Sequence, residues 1–561
     1  MTVRVLSFLS VILWVAATAA QSLPTPPVSN PEAKEEPCVV SGIVVQAVDG
    51  SPLKGAIVRL IPEGDNDNRM GAKTGPDGRF ELKDIHAGRY RLHVFRNGFV
   101  ATQYGQKKPG DPGATLRLVS GDKKTDLLFR LKRAAVITGR VFDADGEPMS
   151  RVEVSVLRQQ YEQGKKSLAF AGRTESNDLG EFRLYELPPG RYYVSAQTRN
   201  WAEALGPHDD SLESPKKEEK GYGRIYYPGV LEAGKATTLS VKEGEEIPSI
   251  DLLMKETTVY RVSGRVANQV SKLKKFRPQV QLLQRNQPES WGNRFMSQTK
   301  AEGEFEITEV TPGEYTVLAF MIQDDKLYAT QEDIEVTTAD VSALRLIIGP
   351  GVSIPGRVLW EGQPNLAGEE ETVYLQPLGT GGWIGKESRV DEKGEFLLKE
   401  VADGLFSLGV QGISNDCYIK EIRYGETVLP EREFRVAKGA NANLEIAISS
   451  RGAKVQGRVS NDDDLPVAGA WAVVIPELSK RKLHYLYKIG NTDQFGHFEL
   501  RGLPPGKYKL FAWEGVEEGI WEDEEFLKGY EDKGIMIEVK DGDAQTAELK
   551  LLQVEQSTAK E

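Results

Sequence analysis

The sequence predicts an all-β protein, in which five tandem antiparallel β-sandwich domains follow a signal peptide. Three observations support this prediction. A seven-position pattern recurs five times along the chain, and short stretches alternate apolar with polar residues, as half-buried strands do. Glycine is frequent, at 56 of 561 residues, as expected where short strands are joined by tight turns. No stretch shows sustained helical periodicity, so no large helix is expected.

Length and composition narrow the class of protein. At roughly 100–200 residues per domain, 561 residues predict three to five domains. The 39% of hydrophobic and 27% of charged residues exclude a disordered chain and a polytopic membrane protein. Acidic residues outnumber basic ones by 83 to 71, a balance without the electrostatic footprint of a nucleic-acid partner. With five histidines and two cysteines, we expect no metal site and no cofactor.

The N-terminus has the pattern of a targeting segment. Residues 1–20 combine Arg4, an apolar run at 5–15 and a small-residue cleavage site at 17–19, which predicts a cleaved signal peptide. A membrane anchor is the alternative, but the run is short for about 30 Å of hydrocarbon. Residues 21–37 form a proline-rich linker. We therefore expect an extracytoplasmic protein (periplasmic, on the outer surface or secreted) without a membrane span in its mature chain.

The recurrent pattern is Gly-x-Phe-x-Leu/Ile-x-x-apolar-x-x-Gly-x-Tyr/Phe-x-Leu/Val. Its two glycines stand ten residues apart in every copy, and the copies begin at Gly78, Gly180, Gly303, Gly394 and Gly496. The alternation on each side of the second glycine predicts two strands joined by a corner. The first glycine suits a hairpin turn with positive φ. The second glycine, as in Leu187-Pro188-Pro189-Gly190, is predicted to supply a left-handed position in the corner.

Each copy lies within a longer unit. An apolar-x-Gly-x-apolar strand precedes it by about 40 residues, and two further alternating strands follow it. About seven short strands in roughly 100 residues are typical of an antiparallel sandwich. The predicted domains are 38–132, 133–256 with a loop insertion at 201–222, 257–350, 351–449 and 450–553, followed by a polar tail at 554–561.

The motif from Gly180 to Tyr192 resembles the carboxypeptidase regulatory-like family, whose members have a prealbumin-like or transthyretin-like β-sandwich fold. The resemblance extends over five tandem copies. The fold of this family is similar in shape to starch-binding-like and collagen-adhesin B-type domains. The resemblance implies an accessory module of the secreted bacterial type, and the motif specifies a fold better than an activity.

The motifs of three enzymatic or self-reactive relatives are missing from the expected positions. A zinc carboxypeptidase needs a His-x-x-Glu pair, and none of the five histidines has a glutamate three residues later: His86, His93, His208, His484 and His497. The glutamate that promotes isopeptide bonds in adhesin domains is replaced by Val94, Ala196, Ala319, Val410 and Ala512. The Tyr-Arg-Gly-Ser tail of transthyretin-like hydrolases does not occur at the end of this chain. We therefore expect no catalytic residues.

Four aromatic residues outside the repeat positions are the candidate ligand-binding residues: Tyr226, Tyr227, Trp513 and Trp521. Exposed aromatic rings stack on sugars or anchor protein interfaces. The alternative is that these rings cover the open end of their own sandwich. Cys38 and Cys417 fall in different domains, and two free thiols are favoured over a disulfide.

The sequence thus favours a rod of β-sandwich domains that acts as a non-enzymatic binding, adhesion or scaffold protein. Carbohydrate is the preferred ligand, and a cell-envelope component or another protein is an open alternative partner. An accessory role in an outer-membrane transport or envelope complex is a second hypothesis. The third is a hydrolase with an inter-domain site built from scattered acids such as Asp209, Asp210 and Glu514, because paired carboxylates hydrolyse glycosides.

Overall fold

The computed structural model describes residues 36–63, 69–198, 220–270, 276–285, 295–300, 302–323, 326–363, 370–378, 385–437, 439 and 442–554. The predicted signal peptide, nearly all of the linker, Asp209 and Asp210 lie outside these residues. So do most of the insertion at 201–222 and, beyond Val554, the polar tail. Within the described ranges, no helix is both long and apolar enough to span a bilayer.

Domain 1 shows the architecture that the other domains repeat. Its strands are β1 (Cys38–Gln46), β2 (Ile57–Pro62), β3 (Met70–Lys73), β4 (Arg79–Ile85), β5 (Gly88–Phe95), β6 (Thr102–Gln103), β7 (Leu116–Leu118) and β8 (Lys123–Leu131). One sheet has the order β4-β1-β8, in which β1 pairs antiparallel with β4 and parallel with β8. The facing sheet has the order β3-β2-β5, with β6 and β7 on the other side of β5.

Domains 2 and 3 keep this arrangement. The strands of domain 2 are β9 (Ala135–Phe142), β10 (Glu153–Glu162), β11 (Lys165–Glu175), β12 (Glu181–Leu187), β13 (Gly190–Gln197), β14 (Lys220–Tyr222), β15 (Ile225–Tyr226), β16 (Leu239–Val241), β17 (Glu246–Ile247), β18 (Leu252–Leu253) and β19 (Glu256–Thr258). The strands of domain 3 are β20 (Tyr260–Asn268), β21 (Gln279–Gln284), β22 (Phe295–Gln298), β23 (Glu304–Val310), β24 (Gly313–Gln323), β25 (Lys326–Val336) and β26 (Val341–Ile348). The end of the predicted loop insertion is strand β14, which pairs with β19.

Domains 4 and 5 complete the described chain. The strands of domain 4 are β27 (Val352–Glu361), β28 (Thr372–Pro377), β29 (Lys386–Arg389), β30 (Glu395–Val401), β31 (Gly404–Gln411), β32 (Tyr418–Tyr424), β33 (Thr427–Val428), β34 (Glu433–Val436) and β35 (Leu444–Ser449). The strands of domain 5 are β36 (Ala453–Ser460), β37 (Trp471–Pro476), β38 (Lys488–Asn491), β39 (His497–Leu503), β40 (Gly506–Trp513), β41 (Ile535–Val539) and β42 (Ala544–Lys550). One short α-helix, α1 (Glu524–Lys528), interrupts domain 5, and 3₁₀ turns occur at Ala233–Lys235, Leu478–Lys480, His484–Leu486, Ile520–Glu522 and Glu531–Lys533.

The repeated apolar positions form the cores. In domain 1, Phe80, Leu82 and Ile85 are buried on one sheet and face Tyr90 and Leu92 on the other. Each of the five main hydrophobic clusters takes its residues from a single domain. Because alternate residues of a strand point to one face, the motif on two sequential strands supplies both halves of a sandwich core.

The two motif glycines have different roles from each other. The first glycine has positive φ in all five copies, as predicted. The prediction of a left-handed second glycine is wrong. The left-handed residue instead comes directly before the apolar motif residue at each corner, as Asp84 comes before Ile85. The five left-handed residues are Asp84, Glu186, Glu309, Glu400 and Gly502. A Cβ on the second glycine would meet the motif aromatic ring, as at Gly506, where Tyr508 lies 3.3 Å away. The second glycine therefore leaves room for that ring.

The motif tyrosine also fixes the corner through its hydroxyl. Tyr508 Oη donates to the carbonyl oxygen of Pro504 at 2.8 Å, and Tyr192 bonds to Pro188 in the same way at 2.7 Å. Domain 4 has Phe406 at this position and lacks the bond. The ring and the hydroxyl together connect the corner to the second sheet.

The five domains do not form a simple rod. Domain 5 contacts domain 4, its neighbour in sequence, and also domains 1 and 2. The backbone of Thr115 in domain 1 forms a parallel bridge with Asp493 in domain 5. The prediction of a rod is therefore wrong, because a rod has contacts only between consecutive domains.

Candidate functional site

Trp513 and Trp521 are completely buried. Trp513 ends β40 opposite Trp471 on β37, and Trp471 makes an edge contact with Trp521 at 5.3 Å between ring centroids. The exposure that sugar stacking requires is therefore absent at both predicted residues. The structure instead agrees with the alternative prediction, in which these rings cover part of their own sandwich.

The cover is built by the segment between β40 and β41. Asp523 accepts hydrogen bonds from the backbone N–H groups of Glu525 and Phe526, which caps α1. This capped turn brings Leu527 and Tyr530 onto the outer face of the sheet, where they join the buried tryptophans in a second cluster. Domain 5 therefore has apolar packing on both faces of its second sheet.

The predicted tyrosines of domain 2 also belong to the packing. Tyr226 lies in β15 and is 3% exposed, while Tyr227 is partly buried against the core of domain 2. Tyr227 is thus the most accessible of the four predicted ligand-binding residues. None of the four lies on an open aromatic surface.

Domain 5 contacts domain 1 through polar groups. Asn491 Nδ2 donates to the Gly113 carbonyl oxygen at 2.5 Å. Lys107 pairs with Glu514 at 2.6 Å, so this glutamate of the hydrolase hypothesis already has a cationic partner. Lys124 lies 5.6 Å above the ring of Phe495.

A second contact joins domain 5 to the β10–β11 hairpin of domain 2. The backbone at Gly164 approaches the Glu522 carbonyl so closely that a Cβ would lie 2.4 Å from its oxygen. On the domain 5 side, Glu522 Oε2 is 2.6 Å from His484 Nδ1. This pair connects two loops of domain 5 where the hairpin meets them.

Several polar groups with shifted pKa values lie where domains 4 and 5 meet. Tyr418 donates to Asp541 at 2.6 Å, and Arg501 pairs with Asp416 at 3.3 Å. Burial, followed by the hydrogen bond to Asp541, raises the pKa of Tyr418 far above its usual range. Asp541 and Asp416 therefore already have partners.

Arg432 belongs to the same junction, because it contacts residues of both domains. Its guanidinium carbon is 3.5 Å from the ring centroid of Tyr485, and its Nη2 donates to the Ile419 carbonyl oxygen at 3.3 Å. Burial lowers the pKa of Arg432 to about 10, against the opposing effect of Tyr485 and Tyr374. Its backbone has φ 59°, a conformation uncommon for a bulky residue.

Lys488 begins β38, three residues after Tyr485. Burial, together with the charge of Arg432, lowers the pKa of the ammonium group. Lys488, Arg432, Tyr485 and Tyr374 are all partly exposed. We call these four residues the junction cluster. These residues come from two domains and share no motif, so no pattern in the sequence predicts the cluster.

The two cysteines of the sequence are both structural: Cys38 and Cys417 are buried and free. Within the described residues, no group of three or more His, Cys, Asp or Glu side chains has a metal-binding arrangement.

Comparison with solved structures gives distant similarities. A protein named TIE from Bacillus anthracis is 13% identical with a TM-score of 0.16; the match covers 56% of this chain and half of that one. The minor pilin GBS52 of Streptococcus agalactiae is 13% identical with a TM-score of 0.22, covering 40% of this chain and 96% of that one. Two B repeat units of the Staphylococcus aureus collagen-binding protein are 12% identical with a TM-score of 0.13, covering 74% and 100%.

Comparison of sequences gives a more specific result for the N-terminal part. None of the curated proteins matches the chain significantly. The family model of the carboxypeptidase regulatory-like domain matches residues 39–131 and 136–206. These ranges include the first two copies of the repeated motif. The first two β-sandwiches of this protein therefore match the carboxypeptidase regulatory-like family.

Proposed function

We propose that this protein is a non-enzymatic, extracytoplasmic binding scaffold, and that its ligand is a polysaccharide held at the junction cluster. One observation carries the proposal: Tyr374 and Tyr485 remain partly exposed beside Arg432 where domains 4 and 5 meet. The hydroxyls and exposed ring edges of tyrosines next to a guanidinium group offer hydrogen bonds and apolar contact to a sugar. The buried tryptophans offer neither.

The scaffold part of the proposal is supported by the contacts of domain 5. This domain joins domains 1, 2 and 4 through backbone bridges, amide hydrogen bonds and ion pairs. Such contacts hold loops of separate domains at fixed positions. A ligand that spans a junction would therefore meet a preorganised surface, which reduces the entropic cost of binding.

The experiment is a glycan array with the chain from residue 21 onward, in wild-type form and as Tyr485→Ala. Wild type should bind at least one polysaccharide, and the variant should lose most of that signal. Tyr185→Ala is the control, because Tyr185 is 62% exposed and lies on domain 2. Circular dichroism of all three proteins checks that they are folded. No binding across plant, microbial and storage polysaccharides would contradict the proposal.

The proposed extracytoplasmic location is tested separately. Export would give a mature protein that starts near residue 20 or 21, and N-terminal sequencing of protein from the extracytoplasmic fractions detects this directly. Full-length protein confined to the cytoplasm would contradict the extracytoplasmic assignment.

A further inference from the structure

Basic residues of domain 5 often share one carboxylate. Arg481 and Lys509 both contact Glu531, at 2.8 and 2.7 Å. Lys454 and Arg501 both contact Glu499. In each case an acid between two cations compensates their mutual repulsion.

Arg432 and Lys488 form a pair of a different kind. Neither makes an ion pair with any carboxylate of the described residues. The groups that act electrostatically on Arg432 are the hydroxyls of Tyr485 and Tyr374, and the charged group that acts on Lys488 is Arg432 itself. Asp541 and Asp416, two acids where domains 4 and 5 meet, are engaged with Tyr418 and Arg501.

The two cations are held in place by separate elements. Arg432 precedes β34 of domain 4, and its stacking on Tyr485 directs it toward domain 5. Lys488 pairs across the sheet with Val474, whose side chain is in the core, so Lys488 lies at the rim of that sandwich. Removing two like charges from water without a counter-ion costs free energy.

We infer that Arg432 and Lys488 form an anion site, and that its ligand is the carboxylate of a uronate in an acidic polysaccharide. The planar guanidinium fork suits the two oxygens of a carboxylate, and an ammonium group adds a point charge. The hydroxyls of Tyr485 and Tyr374 act on Arg432 and are available for hydrogen bonds to the sugar. The uronate assignment rests on the proposed polysaccharide function; the presence of an anion site rests on the unpaired cations.

The test is calorimetric titration of the chain from residue 21 onward at constant ionic strength. The three probes are an oligogalacturonate, a neutral glucan oligosaccharide and inorganic phosphate. The oligogalacturonate should bind at least tenfold more tightly than either of the other two. Neutral-glucan binding of equal strength would overturn the uronate site while leaving polysaccharide binding intact. Tighter phosphate binding would overturn the uronate assignment and identify a free oxyanion as the ligand.

Two variants separate the site from general charge effects. Lys488→Met should weaken oligogalacturonate binding at least tenfold and, because it removes repulsion, should not lower the thermal stability of the ligand-free chain. Arg432→Asn should also weaken oligogalacturonate binding, and asparagine is chosen because it tolerates the left-handed backbone at this position. Arg481→Gln is the matched control, since Arg481 already pairs with Glu531, and it should bind as wild type does. Equal affinity of wild type and Lys488→Met would overturn the site.

Discussion

Gln494 of domain 5 makes two hydrogen bonds with the backbone of Arg117 in domain 1. Its Oε1 accepts from the Arg117 amide at 3.0 Å, and its Nε2 donates to the Arg117 carbonyl oxygen at 2.9 Å. One side chain therefore imitates the pairing of a neighbouring strand. This contact joins residues 377 positions apart in the sequence.

Replacing Gln494 by alanine should loosen domain 1 from domain 5 without unfolding either. Two net hydrogen bonds of about 0.5–1.5 kcal/mol each correspond to roughly 5- to 150-fold faster hydrogen exchange at the Arg117 amide. Hydrogen-exchange mass spectrometry of the peptide containing Arg117 measures the effect. Gln545→Ala, which removes a bond within domain 5, should leave that peptide unchanged. Unaltered exchange in Gln494→Ala would show that the contact does not form in solution.

Replacing Trp513 by alanine should destabilise domain 5 by about 3–5 kcal/mol, because a fully buried indole leaves a large cavity. Hydrogen exchange of β37 and β40 in the full chain should accelerate strongly. Leu478→Ala is the control in the same domain, since Leu478 is 72% exposed. A small effect in Trp513→Ala would contradict the structural role assigned to the tryptophan. Loss of glycan binding in this variant would report unfolding rather than a lost contact with sugar.

Replacing Gly264 by alanine should disrupt domain 3. A Cβ at Gly264 would lie 2.3 Å from the Leu344 carbonyl oxygen, so the parallel pairing of β20 with β26 would have to shift. A loss of about 3 kcal/mol is expected. Gly349→Ala is the matched control, because the nearest atom there is 3.8 Å away and belongs to a side chain. Protease resistance of domain 3 distinguishes the two, and equal resistance would contradict the proposed close approach.

Glu531 should contribute to the stability of domain 5 in acid. Burial alone would raise its pKa, but hydrogen bonds from Lys509 and Arg481 outweigh burial and lower it. A carboxylate with a lowered folded-state pKa contributes stability that is present above its unfolded pKa, about 4.3. That contribution is lost as the pH falls from there through the folded-state pKa.

The corresponding measurement compares hydrogen exchange of domain 5 between pH 6 and pH 3 in wild type and Glu531→Gln. Wild type should be the more protected at pH 6, and the difference should shrink toward pH 3. Glu548→Gln, at an exposed glutamate, should behave as wild type throughout. A difference between wild type and Glu531→Gln that grows on acidification would contradict the assignment.

The repeats predicted the sandwich cores because the alternation of apolar residues is a local property of each strand. Phe80, Leu82 and Tyr90 are buried as their spacing indicates. The second glycine was misassigned because a missing Cβ serves either a left-handed backbone or a close neighbour, and the sequence does not distinguish these cases.

The candidate site could not be derived in the same way. Trp513 and Trp521 are next to acidic residues in the sequence, which made exposure plausible, but α1 folds back and covers them. Arg432 and Tyr485 are in different domains, and no spacing rule relates them. Contacts between domains depend on the angles at which whole sandwiches pack, and these angles leave no periodic signal in the chain.

The position of domain 5 has a consequence for the order in which the protein matures. Domains generally fold as units, with those nearest the N-terminus first during synthesis. The polar surfaces of domains 1, 2 and 4 that contact domain 5 must therefore remain uncovered until the last of the five sandwiches has emerged. Domain 5 therefore completes the assembly of these four domains, so a chain truncated before it would present those surfaces permanently.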